Sequence, residues 1–124
     1  MKKVMIVDGD VGVVESIRQM LKPEGVVVIP ALSGGECFSK LRSVKPDCII
    51  LDIMLPDMDG WEVLKMIKAD ENLKSIPVLI LTVKPLPVHL PEGIDTKSYE
   101  YCMLKPFSKG ELLDVLWRVG VLPP

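Results

Sequence analysis

The residue order predicts a doubly wound α/β fold, a five-stranded parallel sheet with helices on both faces, and three observations lead there. Short runs that are apolar nearly throughout alternate with segments of helical periodicity. Strands that are apolar on both faces belong to a parallel sheet covered from both sides. Four of the runs end in residues able to do chemistry, at the strand edge where open α/β sheets hold their ligands.

Val4 to Val7 is the first strand, and Val14, Ile17 and Leu21 mark one face of the helix that follows. Gly25 stands where a helix end favours a left-handed residue. Val26 to Ile29 is strand two. Ser33-Gly34-Gly35-Glu36 then has capping-box spacing before a helix carrying Cys37, Phe38, Leu41 and Val44, closed by Pro46. Cys48 to Leu51 is strand three, with Asp52 at its carboxyl end. Asp59 to Glu62 repeats the cap spacing ahead of a helix with Val63, Leu64 and Ile67 inward. Val78 to Leu81 is strand four and ends at Thr82, while Tyr101 to Leu104 is strand five and runs into Lys105-Pro106. Ser108-Lys109-Gly110-Glu111 caps the last helix, with Leu112, Leu113, Leu116 and Val119 inward.

One segment breaks the alternation. Lys84 to Gly93 holds Pro85, Pro87 and Pro91 where a fourth helix belongs, and each interior proline costs a helix about 3 kcal/mol. The fourth helix is therefore predicted to be short or irregular, with at most a turn near Glu92 to Thr96.

At 124 residues and 48% hydrophobic content, residues 1–124 suit one compact domain with a full core and no output domain. A net charge of −2 supplies no field for a phosphate backbone, so direct nucleic-acid binding is not expected. The apolar runs are strand-sized, and the amino terminus is too short for a signal peptide or a span; no membrane role and a cytoplasmic location are expected. Cys37, Cys48 and Cys102 are odd in number and lack C-x-x-C spacing, which fits core residues in a reducing compartment rather than a disulfide or zinc framework. Trp61 and Trp117 read as packing residues, Asp57 and Asp59 as turn and cap residues. His89 is the only histidine, which leaves it without a partner for metal binding.

Read together, the strand ends assemble a chemistry. In a parallel sheet Asp8 and Asp10, Asp52, Thr82 and Lys105 share one edge, with a crevice where the strand order switches between strands one and three. Phosphoryl transfer to a carboxylate fits these types: Asp52 as nucleophile, clustered carboxylates to hold a hard cation, a hydroxyl and an ammonium for the phosphoryl oxygens. Asp10 is open to two readings, a cap for the first helix or a further metal ligand.

The stretches Val4-Met5-Ile6-Val7-Asp8, Pro46-Asp47-Cys48-Ile49-Ile50-Leu51-Asp52-Ile53-Met54-Leu55-Pro56-Asp57-Met58-Asp59-Gly60, Pro77-Val78-Leu79-Ile80-Leu81-Thr82 and Lys105-Pro106-Phe107 resemble the response regulator receiver domain of two-component signalling. The resemblance implies a flavodoxin-like sheet in strand order 2-1-3-4-5 and a phosphorylation-dependent switch rather than an enzyme in the ordinary sense. It also allows self-catalysed phosphorylation and dephosphorylation. It implies Asp52 as phosphoacceptor, Mg2+ held by Asp8, Asp52 and the Met54 backbone carbonyl, Thr82 and Lys105 as phosphoryl-binding groups, and a cis Lys105-Pro106 bond. A histidine kinase or phosphotransfer protein is the implied donor, and a protein partner the implied reader.

The chain departs from that pattern at three places. Gly9 stands where the family usually has a second adjacent acid, so magnesium binding is expected to be weakened but not abolished. Cys102 stands where the family usually has an aromatic, and Tyr101, one residue earlier, falls on the opposite strand face. The proline-rich stretch replaces a helix of the family's partner-binding face. Gly9 also opens a second reading, a pseudo-receiver that binds proteins without phosphate. Asp8-Gly9-Asp10 further looks like the D-x-D of haloacid dehalogenase-type phosphatases, in which Asp8 would be the nucleophile.

Overall fold

The computed structural model describes residues 1–87 and 89–123; Val88, within the proline-rich stretch, and Pro124 lie outside the described residues. The apolar runs pair side by side as β1 (Lys3–Val7), β2 (Val27–Ala31), β3 (Cys48–Asp52), β4 (Val78–Thr82) and β5 (Tyr101–Leu104). All pairings are parallel and the order is β2-β1-β3-β4-β5, the flavodoxin-like order expected.

Alternation along each strand explains the layers. Val4, Ile6, Cys48, Ile50, Leu79, Leu81 and Met103 face α1 (Val11–Leu21) and α4 (Lys109–Arg118). Met5, Val7, Ile49, Leu51, Val78 and Ile80 face α2 (Gly34–Leu41) and α3 (Gly60–Ala69). β3 and β4 are buried along their whole length, as the centre of a sheet covered on both faces requires.

The helix signals perform as read. Asp10, Ser33, Asp59 and Ser108 each accept first-turn N–H groups. Only Ser108 and Glu111 close a reciprocal box; Glu36 and Glu62 pair instead with Lys40 and Lys65. Gly25 adopts φ 72° and ends a 3-10 turn over Lys22–Glu24, a turn for which the sequence pattern carried no signal.

Several boundaries differ from expectation, for identifiable reasons. β2 runs on through Pro30 to Ala31; a proline is tolerated there because β2 is an edge strand that bonds only to β1. α2 stops at Leu41, leaving Val44 outside the helix, because Ser43 and Val44 both turn their N–H groups back onto the Lys40 carbonyl. Val115 is buried in α4, while Trp117, on the helix flank, is 48% exposed and is not the packing residue expected. Trp61 is buried and meets Tyr99, ring centroids 6.4 Å apart. No helix links β4 to β5 among the described residues: Ile94 N–H bonds the Pro91 carbonyl and Ser98 N–H the Asp95 carbonyl, two separate turns.

Gly60 fixes how α3 leaves the β3 end. A Cβ there would fall on the Ile53 Cα and 2.5 Å from the Asp52 carbonyl oxygen, both backbone atoms that cannot step aside cheaply. Gly60→Ala is expected to cost at least about 2 kcal/mol through forced backbone displacement. A urea midpoint unchanged from the parent protein would show that α3 is not held this closely.

Candidate functional site

The parallel register brings the carboxyl ends of β1, β3 and β4 to one edge, with Val7 opposite Leu51 and Asp52 opposite Leu81. Asp8 follows β1 directly and is 1% exposed; Asp52 ends β3 and is 7% exposed. Two buried carboxylates side by side need a counter-charge and hydrogen bonds on their oxygens. Lys105, one residue past β5, supplies the charge, with Nζ 2.6 Å from Asp8 Oδ2 and 3.1 Å from Asp52 Oδ2. The other oxygens accept backbone donors: Asp10 N–H to Asp8 Oδ1 at 2.9 Å, Met54 N–H to Asp52 Oδ1 at 2.9 Å. Every oxygen of the pair therefore has a partner inside the protein.

Burial pushes the Asp8 carboxyl above its ordinary range, and the Asp52 charge acts in the same direction; the hydrogen bonds from Lys105 and the Asp10 N–H oppose this without cancelling it. Burial alone would lower the Lys105 ammonium, but its bonds to Asp8 and Asp52 outweigh burial and raise it above 10.5.

The remaining predicted residues lie around this centre in different states. The Asp10 carboxylate is turned to the N-terminus of α1, accepting from Gly12 N at 2.8 Å and Val13 N at 3.4 Å. Thr82 is buried at the β4 end, but its hydroxyl donates to the Lys84 carbonyl at 2.8 Å and accepts from the Lys84 N–H at 3.1 Å. It is thus engaged by its own loop rather than by Asp52. The Lys105-Pro106 peptide is cis. Cys102 packs on the α2–α3 side of the sheet, whereas Tyr101 is 42% exposed. The aromatic packing on that side comes from Phe38, Trp61 and Tyr99, the last two with ring centroids 6.4 Å apart.

An open cleft of about 780 Å³ lies over this centre, walled by Asp8, Gly9, Asp10 and Lys105 on one side and by the β3–α3 loop on the other. Gly9 lets the two loops approach: a Cβ there would sit 3.1 Å from the Pro56 ring. Among the described residues no group of three or more His, Cys, Asp or Glu is disposed to hold a metal. Asp8 and Asp52, which line the cleft, are hard oxygen donors of the kind magnesium takes.

The model of the response regulator receiver domain family matches residues 4–116. The chain belongs to the response regulator receiver domain family. Over 111 residues it is 36% identical to the alkaline phosphatase synthesis transcriptional regulatory protein PhoP of Bacillus subtilis, covering 90% of this chain and 45% of PhoP. It is also 34% identical to Protein PilG of Pseudomonas aeruginosa, covering 92% of this chain and 84% of PilG. The solved structure of the chemotaxis response regulator CheY4 of Vibrio cholerae superposes with TM-score 0.81 at 29% identity, covering 96% and 98% of the two chains. The receiver domain thus spans less than half of the first of these relatives.

Receiver domains are phosphorylation-dependent signalling switches of two-component systems that interact with histidine kinases or phosphotransfer proteins. The dehalogenase-like reading of Asp8-Gly9-Asp10 finds no support in this geometry: Asp8 is less accessible than Asp52, and the second acid, Asp10, is turned to the N-terminus of α1. Among the described residues no helix of the receiver domain is long and apolar enough to cross a membrane.

Sequence reasoning undervalued Asp57. Read as a turn residue, it reaches α2 instead, accepting from Gly34 N at 2.8 Å and Gly35 N at 2.9 Å. The Ser33-Gly34-Gly35 cap announces free N–H groups, but nothing in a single sequence says which distant carboxylate takes them.

The raised ammonium makes a pH prediction. A lysine whose folded pKa lies above its unfolded value stabilises fully below 10.5 and loses that contribution as pH rises through the folded value. Lys105→Met should therefore lower stability near neutral pH by about 3 kcal/mol, the low end for removing one partner of a buried pair. The gap to the parent protein should narrow above pH 10.5 as the parent's own ammonium titrates. Thermal unfolding of both proteins across that range checks it, and a gap independent of pH counts against the ammonium as the stabilising charge.

Proposed function

We propose that Asp52 is the residue that takes the phosphoryl group, with Lys105 and Thr82 receiving the phosphoryl oxygens and Asp8 shaping the site for magnesium. The observation that carries this reading is the Lys105 ammonium shared between two buried carboxylates that line the cleft at the sheet edge, Asp52 the more exposed of the two. In the transfer, an Asp52 carboxylate oxygen attacks phosphorus of a phosphohistidine, the P–N bond breaks, and the imidazole nitrogen leaves with the electron pair and takes up a proton. Magnesium, when bound, neutralises charge on the transferring oxygens, and Asp8, Asp52 and the Met54 carbonyl are the groups that would hold it.

The new group adds about −1.5 to −2 charge and three acceptor oxygens. Lys105 then has a stronger partner than the Asp8 carboxylate. Thr82 can exchange its bond to the Lys84 carbonyl for one to a phosphoryl oxygen, taking the start of the β4–β5 loop with it. A histidine kinase or phosphotransfer protein is the donor, and a protein that binds the altered β4–β5 surface is the reader. With two carboxylates in place of the family's usual three and an ammonium between them, magnesium binding is weak and self-catalysed phosphorylation and dephosphorylation are slow.

Asp52→Asn tests the assignment. The variant removes one of the two buried negative charges, so it should fold at least as stably as the parent and take up no phosphate from acetyl phosphate and Mg2+. Mass spectrometry after borohydride reduction reads both uptake and position; modification of the variant, or at another residue of the parent, overturns the assignment. A parent protein that takes up no phosphate from acetyl phosphate or any kinase would instead be a phosphate-independent binding module. Calorimetric titration with Mg2+ alone should give a dissociation constant at least about tenfold weaker than in receivers with two adjacent acids after β1, a difference of about 1.4 kcal/mol.

A further inference from the structure

Between the end of β3 and the start of α3, residues 53–59 form the far wall of the cleft, and their two ends are well tied. Ile53 N–H bonds the Leu81 carbonyl, Gly60 N–H returns to the Ile53 carbonyl, and Met54 bridges Asp59. The tip, Leu55 to Met58, has no backbone partner of this kind among the described residues. What holds it is the Asp57 carboxylate, each oxygen taking one N–H of Gly34 and Gly35 at the first turn of α2. Beside it the Met58 side chain lies on Gly34, in space that any larger residue at position 34 would fill. The opposite side of the same tip places the Pro56 ring against Gly9, in the loop that carries Asp8 and Asp10.

We propose that Asp57 is a positioning residue for the phosphoacceptor site: by spanning the two α2 amides it holds the tip of the β3–α3 loop against the β1–α1 loop and keeps Met54 in register with Asp52. The proposal rests on the reading of Asp52 as phosphoacceptor for its functional half only. A carboxylate bridging two backbone N–H groups at a helix start is favoured by charge-assisted hydrogen bonding and by the helix dipole together. Those two bonds also explain why the Asp57 carboxyl lies below its ordinary range, the Gly35 bond contributing most and Gly34 next. Met54 stands three residues from Asp57, and its N–H is the backbone donor to Asp52 Oδ1 at 2.9 Å. Freedom at the tip therefore reaches the nucleophile through one short stretch of backbone, and small displacements of a positioned group are costly in rate.

Hydrogen exchange by NMR on the unphosphorylated protein, paired with phosphorylation kinetics by acetyl phosphate, tests this in the parent, Asp57→Ala and Asp57→Asn. In Asp57→Ala the Gly34 and Gly35 amides should exchange faster, and the Met54 amide should follow by about tenfold, because local opening of the tip exposes it. Phosphorylation of Asp52 should slow by about tenfold, the scale on which mispositioning acts. Asp57→Asn keeps one acceptor oxygen in the same place and should recover part of both effects; it also carries the comparison should the alanine variant fold poorly. Faster exchange confined to Gly34 and Gly35, with Met54 and the phosphorylation rate unchanged, would make Asp57 a tie on α2 alone and overturn the proposal. So would unchanged exchange at all three amides. If the parent takes up no phosphate, the phosphoacceptor reading falls, while the Met54 amide still decides whether Asp57 positions the loop.

Discussion

The ammonium of Lys105 between Asp8 and Asp52 is the interaction on which the rest of the molecule is arranged. Two carboxylates, 1% and 7% exposed, stand at the ends of neighbouring strands, where each alone would meet an unfavourable field from the other. The parallel sheet creates this problem, because its register delivers both strand ends to the same edge. It also creates the answer: β5 ends at that edge too, and its next residue is the lysine. β4 lies between β5 and β3, so the lysine side chain has to reach over a strand, two inter-strand spacings or about 9.6 Å of sheet, to meet Asp52. The Lys105 N–H stays bonded to the Thr82 carbonyl, which keeps the backbone level with β4 while the side chain reaches over it. An exposed pair of this kind would contribute little; here the carboxylates are buried, and removing the ammonium would leave two of them uncompensated.

Most of the fold was legible because its signals are local. Apolar runs on both sides of helical stretches leave a parallel sheet as the consistent arrangement, and the cap residues Asp10, Ser33, Asp59 and Ser108 act within their own first turns. What was misread depended on neighbours. Pro30 looks like the end of a strand and is tolerated only because β2 has a partner on one side. Val44 fits the helical period of α2, yet Ser43 and Val44 fold back on Lys40 before the period reaches it. Trp117 is large and apolar, but Leu112, Val115 and Leu116 already fill the inward stripe of α4.

The site divides in the same way. Asp8, Asp52 and Lys105 could be placed together because each stands at a strand end, and strand ends meet by topology. Asp57 could not: its partners are 22 and 23 residues back, and only the folded approach of the β3–α3 loop to α2 selects them. Thr82 lies where expected, but the direction of its hydroxyl is set by the Lys84 backbone two residues on, a choice between two acceptors that residue type alone leaves open. Among the described residues the proline-rich stretch holds no helix, as read; of the two turns that follow, one is closed by the Pro91 carbonyl around Gly93 and the other by Asp95.

The engagement of Thr82 decides how a phosphoryl group could move this structure. Exchanging the bond to the Lys84 carbonyl for one to a charged oxygen replaces a net contribution of about 1 kcal/mol by about 1.5–3 kcal/mol. A shift from 1:99 to 99:1 requires about 5.5 kcal/mol, so the threonine by itself cannot throw the switch. If Asp52 takes the phosphoryl group as proposed, the larger share would have to come from Lys105, whose ammonium already bonds two carboxylates and would gain a dianionic partner. On the proposed reading the hydroxyl would be the link that passes this gain to the β4–β5 loop, since Lys84 is the residue next to the first proline of that segment. Among the described residues no helix lies there, so such a change would be carried along the loop surface beside Val83 and Leu104, both exposed at the strand ends.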